Sequence, residues 1–231
     1  MASHIGTDIP NDGLIFNVDF SSARSRKGIN TNLLLWSYWT VGTGGATFYG
    51  QNGDGNSRLL DTNPWGQTDI VWQSLNNDVT SDADGGWNTS TFPIDNTKLY
   101  RFSTWVRRKV LGNGSFYLGT YGRDVAGNNI GVLTRSAGAN STNPYFRSSG
   151  WWGTTNTWYL VVGHVWPAGS GTGSNHTDSG IWDVNGNLVT TVGDFVWRTD
   201  NFNSTHRSYL YYSTDPTTNQ QWYQPRVDVC D

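Results

Sequence analysis

Glutamate is missing from this chain, and lysine is nearly so. None of the 231 residues is Glu, all 18 acidic residues are Asp, and only 3 of the 15 basic residues are Lys. Glu and Lys favour helix surfaces, whereas aromatic and β-branched residues favour strands. Aromatic residues make up 14% of the chain, with 13 Trp, beside 28 Gly. We therefore predict an all-β protein with essentially no helix.

Other absences exclude several functions. The single cysteine, Cys230, rules out an intrachain disulfide. No apolar run approaches the roughly 20 residues of a membrane span, so we expect no membrane insertion. The net charge of −3 gives no electrostatic footprint for nucleic acid. The first residues lack the basic and apolar regions of a secretory signal.

The stretch 99–121 carries the strongest strand pattern. Asn113-Gly114 separates two alternating runs, and this dipeptide favours a tight turn, so we predict a long antiparallel hairpin. Side chains of a strand alternate between faces, which predicts an apolar face and a wettable one. The two sets are Tyr100, Phe102, Thr104 and Val106 on the apolar face, and Arg101, Ser103, Trp105 and Arg107 on the wettable face.

Turn signals divide the chain into about a dozen short strands, the first at Leu14–Phe20. Such a series predicts an antiparallel β-sandwich. We place a polar arm at 1–12 and one sandwich domain at 13–231. Three long polar segments are predicted as loops, namely 76–91, 136–155 and 167–180. A second hairpin is predicted around Asn185-Gly186.

The residue types present give little support to a catalytic function. Glycoside hydrolysis needs two carboxylates of opposite roles, and a chain without Glu cannot carry the Glu-x-Asp-x-x-Glu strand of sandwich glucanases. Asp82 and Asp84 are neighbours only on a predicted loop. The four His residues lack metal-ligand spacing, and His164 is expected in the core. We expect no enzyme activity, and a hydrolase is the third-ranked function.

A calcium site is the metal site the sequence best supports. Asp78, Asp82 and Asp84 offer three carboxylates on one flexible segment, and calcium prefers several oxygen ligands. The alternative is that these residues only make turns. No cofactor is expected to be required.

Tryptophans in Gly-rich loops are the main functional lead. Flat aromatic faces can stack on sugar rings while polar groups hold the hydroxyls. Each loop Trp could instead anchor its loop, and Trp, Tyr and Arg are also enriched at protein interfaces. The predicted ligand-binding residues are Trp65, Trp87, Arg147, Trp151 and Trp152.

The order of motifs resembles one group of known modules. The motifs are Tyr100-Arg-Phe-Ser-Thr-Trp-Val-Arg-Arg, Gly114-Ser-Phe-Tyr-Leu-Gly, Asn143-Pro-Tyr-Phe, Trp158-Tyr-Leu-Val-Val-Gly-His-Val, His206-Arg-Ser-Tyr-Leu-Tyr-Tyr and Gln224-Pro-Arg-Val-Asp-Val. Over residues 13–231 they resemble the jelly-roll domains, of concanavalin A-like and carbohydrate-binding-module type, in bacteriophage virion proteins and bacterial surface proteins. The resemblance implies a jelly-roll sandwich without catalysis. It also implies a structural calcium between the first and last strands, at Asp19 and Asp228.

The expected function is therefore a non-catalytic, lectin-like module of a phage virion. It would belong to a tail fibre or receptor-binding protein and bind a glycan or cell-surface polysaccharide through the loop tryptophans. The alternative is a capsid decoration or tail protein whose aromatic loops contact other virion subunits or further copies of the chain. Phage assembly also fits the missing secretory signal, which places the protein on a virion or an extracellular surface.

Overall fold

The computed structural model describes residues 32–230, apart from the side chain of Trp36. The predicted arm 1–12, the strand Leu14–Phe20 and Asp19 lie outside this range. The described residues form seventeen strands and one 3-10 turn at Trp36–Tyr38, and none of their helices could span a membrane. The strands are β1 (Gly42–Thr43), β2 (Tyr49–Gln51), β3 (Asn56–Thr62), β4 (Thr68–Leu75), β5 (Ala83–Thr89), β6 (Phe92–Pro93), β7 (Leu99–Val110), β8 (Ser115–Arg123), β9 (Val132–Thr134), β10 (Asn140–Ser141), β11 (Tyr145–Gly150), β12 (Tyr159–Trp166), β13 (Gly180–Trp182), β14 (Leu188–Thr190), β15 (Phe195–Val196), β16 (Asn203–Tyr211) and β17 (Asn219–Cys230).

Two sheets form a sandwich, which confirms the predicted all-β fold of jelly-roll type. The large sheet has eleven strands in the order β1-β3-β4-β17-β7-β12-β15-β9-β10, with β13 and β14 attached beside β12. The small sheet has six strands in the order β11-β8-β16-β5-β2, with β6 beside β16. All pairings are antiparallel except that of β12 with β15.

The predicted hairpin at 99–121 is wrong. Both strands exist, but β7 pairs with β12 and β17 in the large sheet, whereas β8 pairs with β11 and β16 in the small sheet. The turn at Asn113-Gly114 therefore carries the chain from one sheet to the other. Its Gly114 has a φ of 83°, as the dipeptide predicts.

Arg108 holds this crossover in place. Its guanidinium donates to the carbonyl oxygens of Leu111, Asn113 and Gly114, at 2.6–3.1 Å, and to Gln220 Oε1 at 2.8 Å. Burial lowers the pKa of Arg108 to about 10. The cation is therefore still charged at neutral pH, and it supplies the hydrogen bonds that the turn carbonyls would otherwise make with water.

Two of the three predicted long loops contain strands. The segment 76–91 includes β5, and 136–155 includes β10 and β11. Gly, Asn and Ser have low strand propensity, so the sequence did not predict these strands. They form because β5 pairs with β16 and β11 pairs with β8, both distant in the chain. The loop that precedes Gly180 is confirmed, and so is the second hairpin, because β13 pairs with β14 across Asn185-Gly186.

Tryptophan forms the centre of the core between the sheets. The Trp87 ring lies 5.3 Å from that of Trp39 and 5.4 Å from those of Trp72 and Trp222, and it stacks on His206 at 5.9 Å. All four indoles are buried. Offset and edge-on contacts of this kind add to the burial of apolar area.

His206 is a buried neutral base within this cluster. Its Nδ1 accepts the Trp87 indole N–H at 3.3 Å, and its Nε2 lies 3.3 Å from the Ser103 carbonyl, which can only accept. Nε2 therefore carries the proton. Burial lowers the pKa of His206 to about 3, and burial with the nearby His176 and Arg101 lowers the pKa of His164 well below its usual value.

These two histidines predict a loss of stability in acid. Each is neutral when folded but binds a proton near pH ~6.5 when unfolded, so the free energy of unfolding falls as the pH drops below that value. Each contributes a slope of up to about 1.4 kcal/mol per pH unit. In His206→Gln we expect the slope between about pH 4 and about pH 6 to be smaller by that amount.

Urea unfolding of the wild type and the variant at a series of pH values measures the two slopes. Asp84, whose pKa burial raises to about 6, contributes with the opposite sign in the same window. Because Asp84 is present in both proteins, its contribution cancels in the comparison. If the free energy of unfolding changes equally with pH in the wild type and the variant, His206 does not gain a proton on unfolding.

The outer face of the large sheet is not wettable, contrary to the prediction for β7. Ser103, Trp105 and Arg107 are all buried. Neighbouring strands bring further apolar groups to the same face, and these pack into a second cluster with Trp105. The members are Val71, Trp105, Trp158, Leu160, Val162 and Tyr223, with Leu59 and Trp182 beside them.

Candidate functional site

Trp87 cannot serve as a loop platform, and that prediction is wrong. It lies in β5 instead of a loop, and it is 0% exposed in the core. Trp65 does lie in a turn, between β3 and β4, and is 38% exposed. Its ring meets Trp105 and Tyr223 edge-on at 5.8 and 5.7 Å. It therefore borders the outer cluster of the large sheet.

The structure brings Arg147, Trp151 and Trp152 together. The two indole rings lie 4.6 Å apart, and the Arg147 guanidinium lies 5.5 Å from the Trp152 ring. Both rings are half-buried, and they pack against Phe116 and Tyr159 of the sandwich. These contacts with the core agree with the loop-anchoring alternative, and ligand binding by the half-buried rings stays a prediction.

The predicted calcium ligands are not assembled into a metal site. Among residues 32–230, no three His, Cys, Asp or Glu side chains form a group that could hold a metal ion. Asp78 and Asp82 both accept from the Thr80 hydroxyl at 2.9 Å, while Asp84 turns inward and accepts the Ser213 backbone N–H. Asp78 bonds locally to the Thr80 backbone N–H and hydroxyl, as the turn-forming alternative predicts, whereas Asp84 lies in β5.

Asp228, the predicted calcium ligand in the last strand, is buried beside two arginines. It lies 2.6 Å from Arg226 and 3.9 Å from Arg101. Its proposed partner, Asp19, lies outside the described residues. The calcium prediction for this pair therefore stays untested by the structure.

A face made largely of tyrosine covers the outside of the small sheet. In β16 and β8 every second side chain enters the core, among them Leu210, Phe116 and Leu118. The intervening residues therefore point outward. We call the outward set the tyrosine face, and its members are Tyr117, Tyr121, Arg123, Tyr145, Arg207, Tyr209, Tyr211 and Tyr212, with Asn52 and Asn88 at its border.

Five of the six rings of the tyrosine face form a continuous series. Tyr117 lies 4.8 Å from Tyr145 and 5.3 Å from Tyr211, both edge-on. Tyr211 in turn lies 4.9 Å from Tyr209 and stacks on Tyr212 at 5.4 Å. Tyr209 is buried, the others are half-buried, and Tyr212 is 52% exposed. The buried Tyr209 ring thus supports neighbouring rings whose surfaces remain accessible to solvent.

Arg207 lies between two of these rings. Its guanidinium carbon is 3.8 Å from the Tyr121 ring and 4.0 Å from the Tyr145 ring. It donates to Asn143 Oδ1 at 2.7 Å and to the Pro144 carbonyl at 2.9 Å. The side chain is 1% exposed. Arg207 therefore fixes both rings and the loop before β11 by cation–π contacts and hydrogen bonds.

Asparagine side chains fix two of the hydroxyl groups. Tyr209 donates to Asn88 Oδ1 at 2.5 Å, and Tyr211 donates to Asn52 Oδ1 at 3.2 Å. Burial raises the pKa of Tyr145 to about 12 and raises the pKa values of Tyr209 and Tyr211 as well. The phenols are therefore neutral at ordinary pH. They offer O–H groups and ring faces on a rigid support.

Gly119 leaves the space that Arg207 occupies. A Cβ on Gly119 would lie 2.4 Å from the Pro144 carbonyl and 2.6 Å from the Tyr145 ring. We expect Gly119→Ala to displace these groups and to lower the free energy of unfolding by about 1–3 kcal/mol. Urea unfolding measures the change. Gly150→Ala in β11, where nothing lies within 4 Å of an added Cβ, is the matched control and should leave stability unchanged; equal losses in both would contradict the packing argument.

Sequence reasoning missed this face. The alternation of Tyr with Leu and Phe in 115–121 and 208–212 was visible as strand pattern. It did not show which side faces outward, and the pairing of β8 with β16 across 80 or more residues was not visible at all. The prominence of tryptophan directed the prediction to the loops instead.

Comparison with known proteins informs the fold. No protein-family model and no curated protein matches the sequence. An exo-beta-agarase structure aligns with 87% of this chain at 11% identity and a TM-score of 0.50, and the chain spans only 25% of that protein. The cellulose-induced protein Cip1 aligns over 79% of this chain and 91% of its own, with 15% identity and a TM-score of 0.39.

A third similar structure is the family 11 carbohydrate-binding module of Clostridium thermocellum in complex with a beta-1,3-1,4-mixed-linked tetrasaccharide. It aligns over 80% of this chain and 89% of its own, with 14% identity and a TM-score of 0.36. At such identities the likeness concerns the fold alone. The agarase match agrees with the jelly-roll sandwich described above.

Proposed function

We propose that this chain is a non-catalytic carbohydrate-binding module and that the tyrosine face binds the sugar. The observation that carries the proposal is the set of six tyrosines on one outer sheet face. Arg207 packs against two of their rings, and two asparagines accept hydrogen bonds from two of their hydroxyl groups. Aromatic rings bury the apolar C–H faces of sugars, while a few placed polar groups hold the hydroxyls. A rigid support lowers the entropy cost of binding.

The residues of the proposed site support the non-catalytic part of the proposal. None of the members of the tyrosine face is acidic, and glycoside hydrolysis ordinarily needs two carboxylates about the scissile bond. The structure of family 11 carbohydrate-binding module with a bound tetrasaccharide is a further reason to test sugars first, although its likeness to this chain is one of fold.

The test is affinity electrophoresis and calorimetry with a panel of soluble polysaccharides. The panel includes mixed-linked β-glucan, agarose oligosaccharides, xylan, polygalacturonate and dextran. We expect saturable binding to at least one polymer and no release of reducing ends. A protein that binds none of them, or that produces reducing ends, would contradict the proposal.

We further propose that the module works on a virion or an extracellular surface, in a tail fibre or receptor-binding protein. The support is the order of sequence motifs described at the outset. A fluorescent fusion should then label bacterial cells, and the polysaccharide identified by calorimetry should compete. The rival role, contact with other virion subunits or copies of the chain, predicts self-association in light scattering and no competition.

A further inference from the structure

Two arginines of the tyrosine face have no carboxylate partner among the described residues. Arg207 bonds only neutral acceptors, namely Asn143, Tyr145 and the Pro144 carbonyl. Arg123 donates to the Gly127 carbonyl at 2.8 Å, and its guanidinium lies 5.1 Å from the Tyr121 ring. No carboxylate oxygen of residues 32–230 lies within 4.0 Å of either guanidinium.

The outer face of the large sheet is built differently. There Arg107 and Lys109 share Asp61, and Arg101 and Arg226 share Asp228. Positive charge is thus paired on that face and unpaired on the tyrosine face. This contrast occurs in a chain whose net charge is −3, so a general excess of basic residues does not explain it.

The two arginines differ in how accessible they are. Asp124 follows Arg123 in the chain, but its carboxylate accepts from the backbone and side chain of Asn128. Arg123 is half-buried, so its remaining N–H groups can meet a ligand, whereas Arg207 lies beneath the rings. The positive end of the face is therefore the one at Tyr121.

Resting on the proposed function, we infer that the bound glycan is acidic and that its oxyanion, a carboxylate or a sulfate ester, lies at the Tyr121 end beside Arg123. The planar guanidinium suits both oxyanions. Arg207 adds attraction from below, because a buried charge is screened less by water than an exposed one. The Tyr211 and Tyr212 end binds the sugar ring itself.

Matched pairs of polymers test this inference by calorimetry. Polygalacturonate is compared with its methyl ester, and dextran sulfate with dextran, so that each pair differs in charge. We expect the charged member of at least one pair to bind about tenfold or more tightly, because a hydrogen bond to a charged group contributes more than a neutral one. Added NaCl should weaken that binding.

Arg123→Gln and Lys109→Gln separate a specific contact from general charge attraction. Both remove one positive charge, but Lys109 lies on the large sheet beside Asp61. Arg123→Gln should lower the affinity for the charged polymer about tenfold more than the affinity for its neutral partner. Lys109→Gln should change neither.

Each other outcome overturns the inference in a recognisable way. If the neutral members bind as well as the charged ones, the ligand is not acidic, while the proposed function stands. If both variants lose affinity equally, the attraction is unspecific. If no polymer binds, the proposed function fails together with the inference.

Discussion

Replacing Tyr211 by alanine will lower glycan affinity about 30-fold and leave the protein folded. Tyr211 contacts Tyr117, Tyr209 and Tyr212, and it is half-buried, so its ring is both fixed and accessible. A well-placed aromatic anchor contributes about 2 kcal/mol or more to a binding site, which is a factor of about 30. The double variant Tyr117→Ala/Tyr211→Ala should bind more than about 100-fold less tightly.

Calorimetric titration with the best polymer of the panel measures the effect. Trp65→Ala is the matched control, because Trp65 is an exposed aromatic residue beside the opposite sheet. It should bind like the wild type. A Tyr211→Ala protein of unchanged affinity, or a loss of equal size in the Trp65 variant, would remove the tyrosine face from the site.

Trp87→Ala will produce the largest loss of stability. The ring is fully buried against Trp39, Trp72 and Trp222, and its N–H donates to His206. Truncation removes these contacts, leaves a cavity and frees a buried acceptor. We expect the free energy of unfolding to fall by about 3–5 kcal/mol, a large part of the roughly 5–15 kcal/mol of a typical domain.

Urea unfolding followed by far-ultraviolet circular dichroism checks this, and Trp65→Ala should cost only about 1 kcal/mol in the same experiment. If Trp87→Ala does not fold, Trp87→Phe should fold, with a smaller loss in the free energy of unfolding than expected for alanine. A Trp87→Ala protein as stable as the wild type would contradict the described core.

The fold class was predictable because it rests on local signals. A chain without Glu, rich in Trp, Tyr and Gly, has few residues suited to helices, and the alternation in Leu99–Val110 marks a strand whatever its partner. The partner was not predictable. Asn113-Gly114 reverses the chain, but whether the reversal forms a hairpin or joins two sheets depends on contacts with β12, β16 and β17, which lie far away in sequence.

The site was less predictable than the fold, for a related reason. Alternation separates two faces of a strand without stating which of them is covered. On β7 the predicted wettable face, with Trp105 and Arg107, became buried under a second apolar cluster. On β16 the face with Arg207 and Tyr211 became the outer one. Only the packing of the two sheets decides between these outcomes.

Fluorine NMR of the protein labelled with 3-fluorotyrosine tests the central claim most directly. The resonances are assigned with single Tyr→Phe variants, and a binding polysaccharide is then added. We predict shifts for Tyr117, Tyr211 and Tyr212, and none for Tyr159 beside Trp151 or Tyr223 beside Trp65. Shifts confined to Tyr159 or Tyr223 would contradict the account, because they would place the ligand on the tryptophans instead.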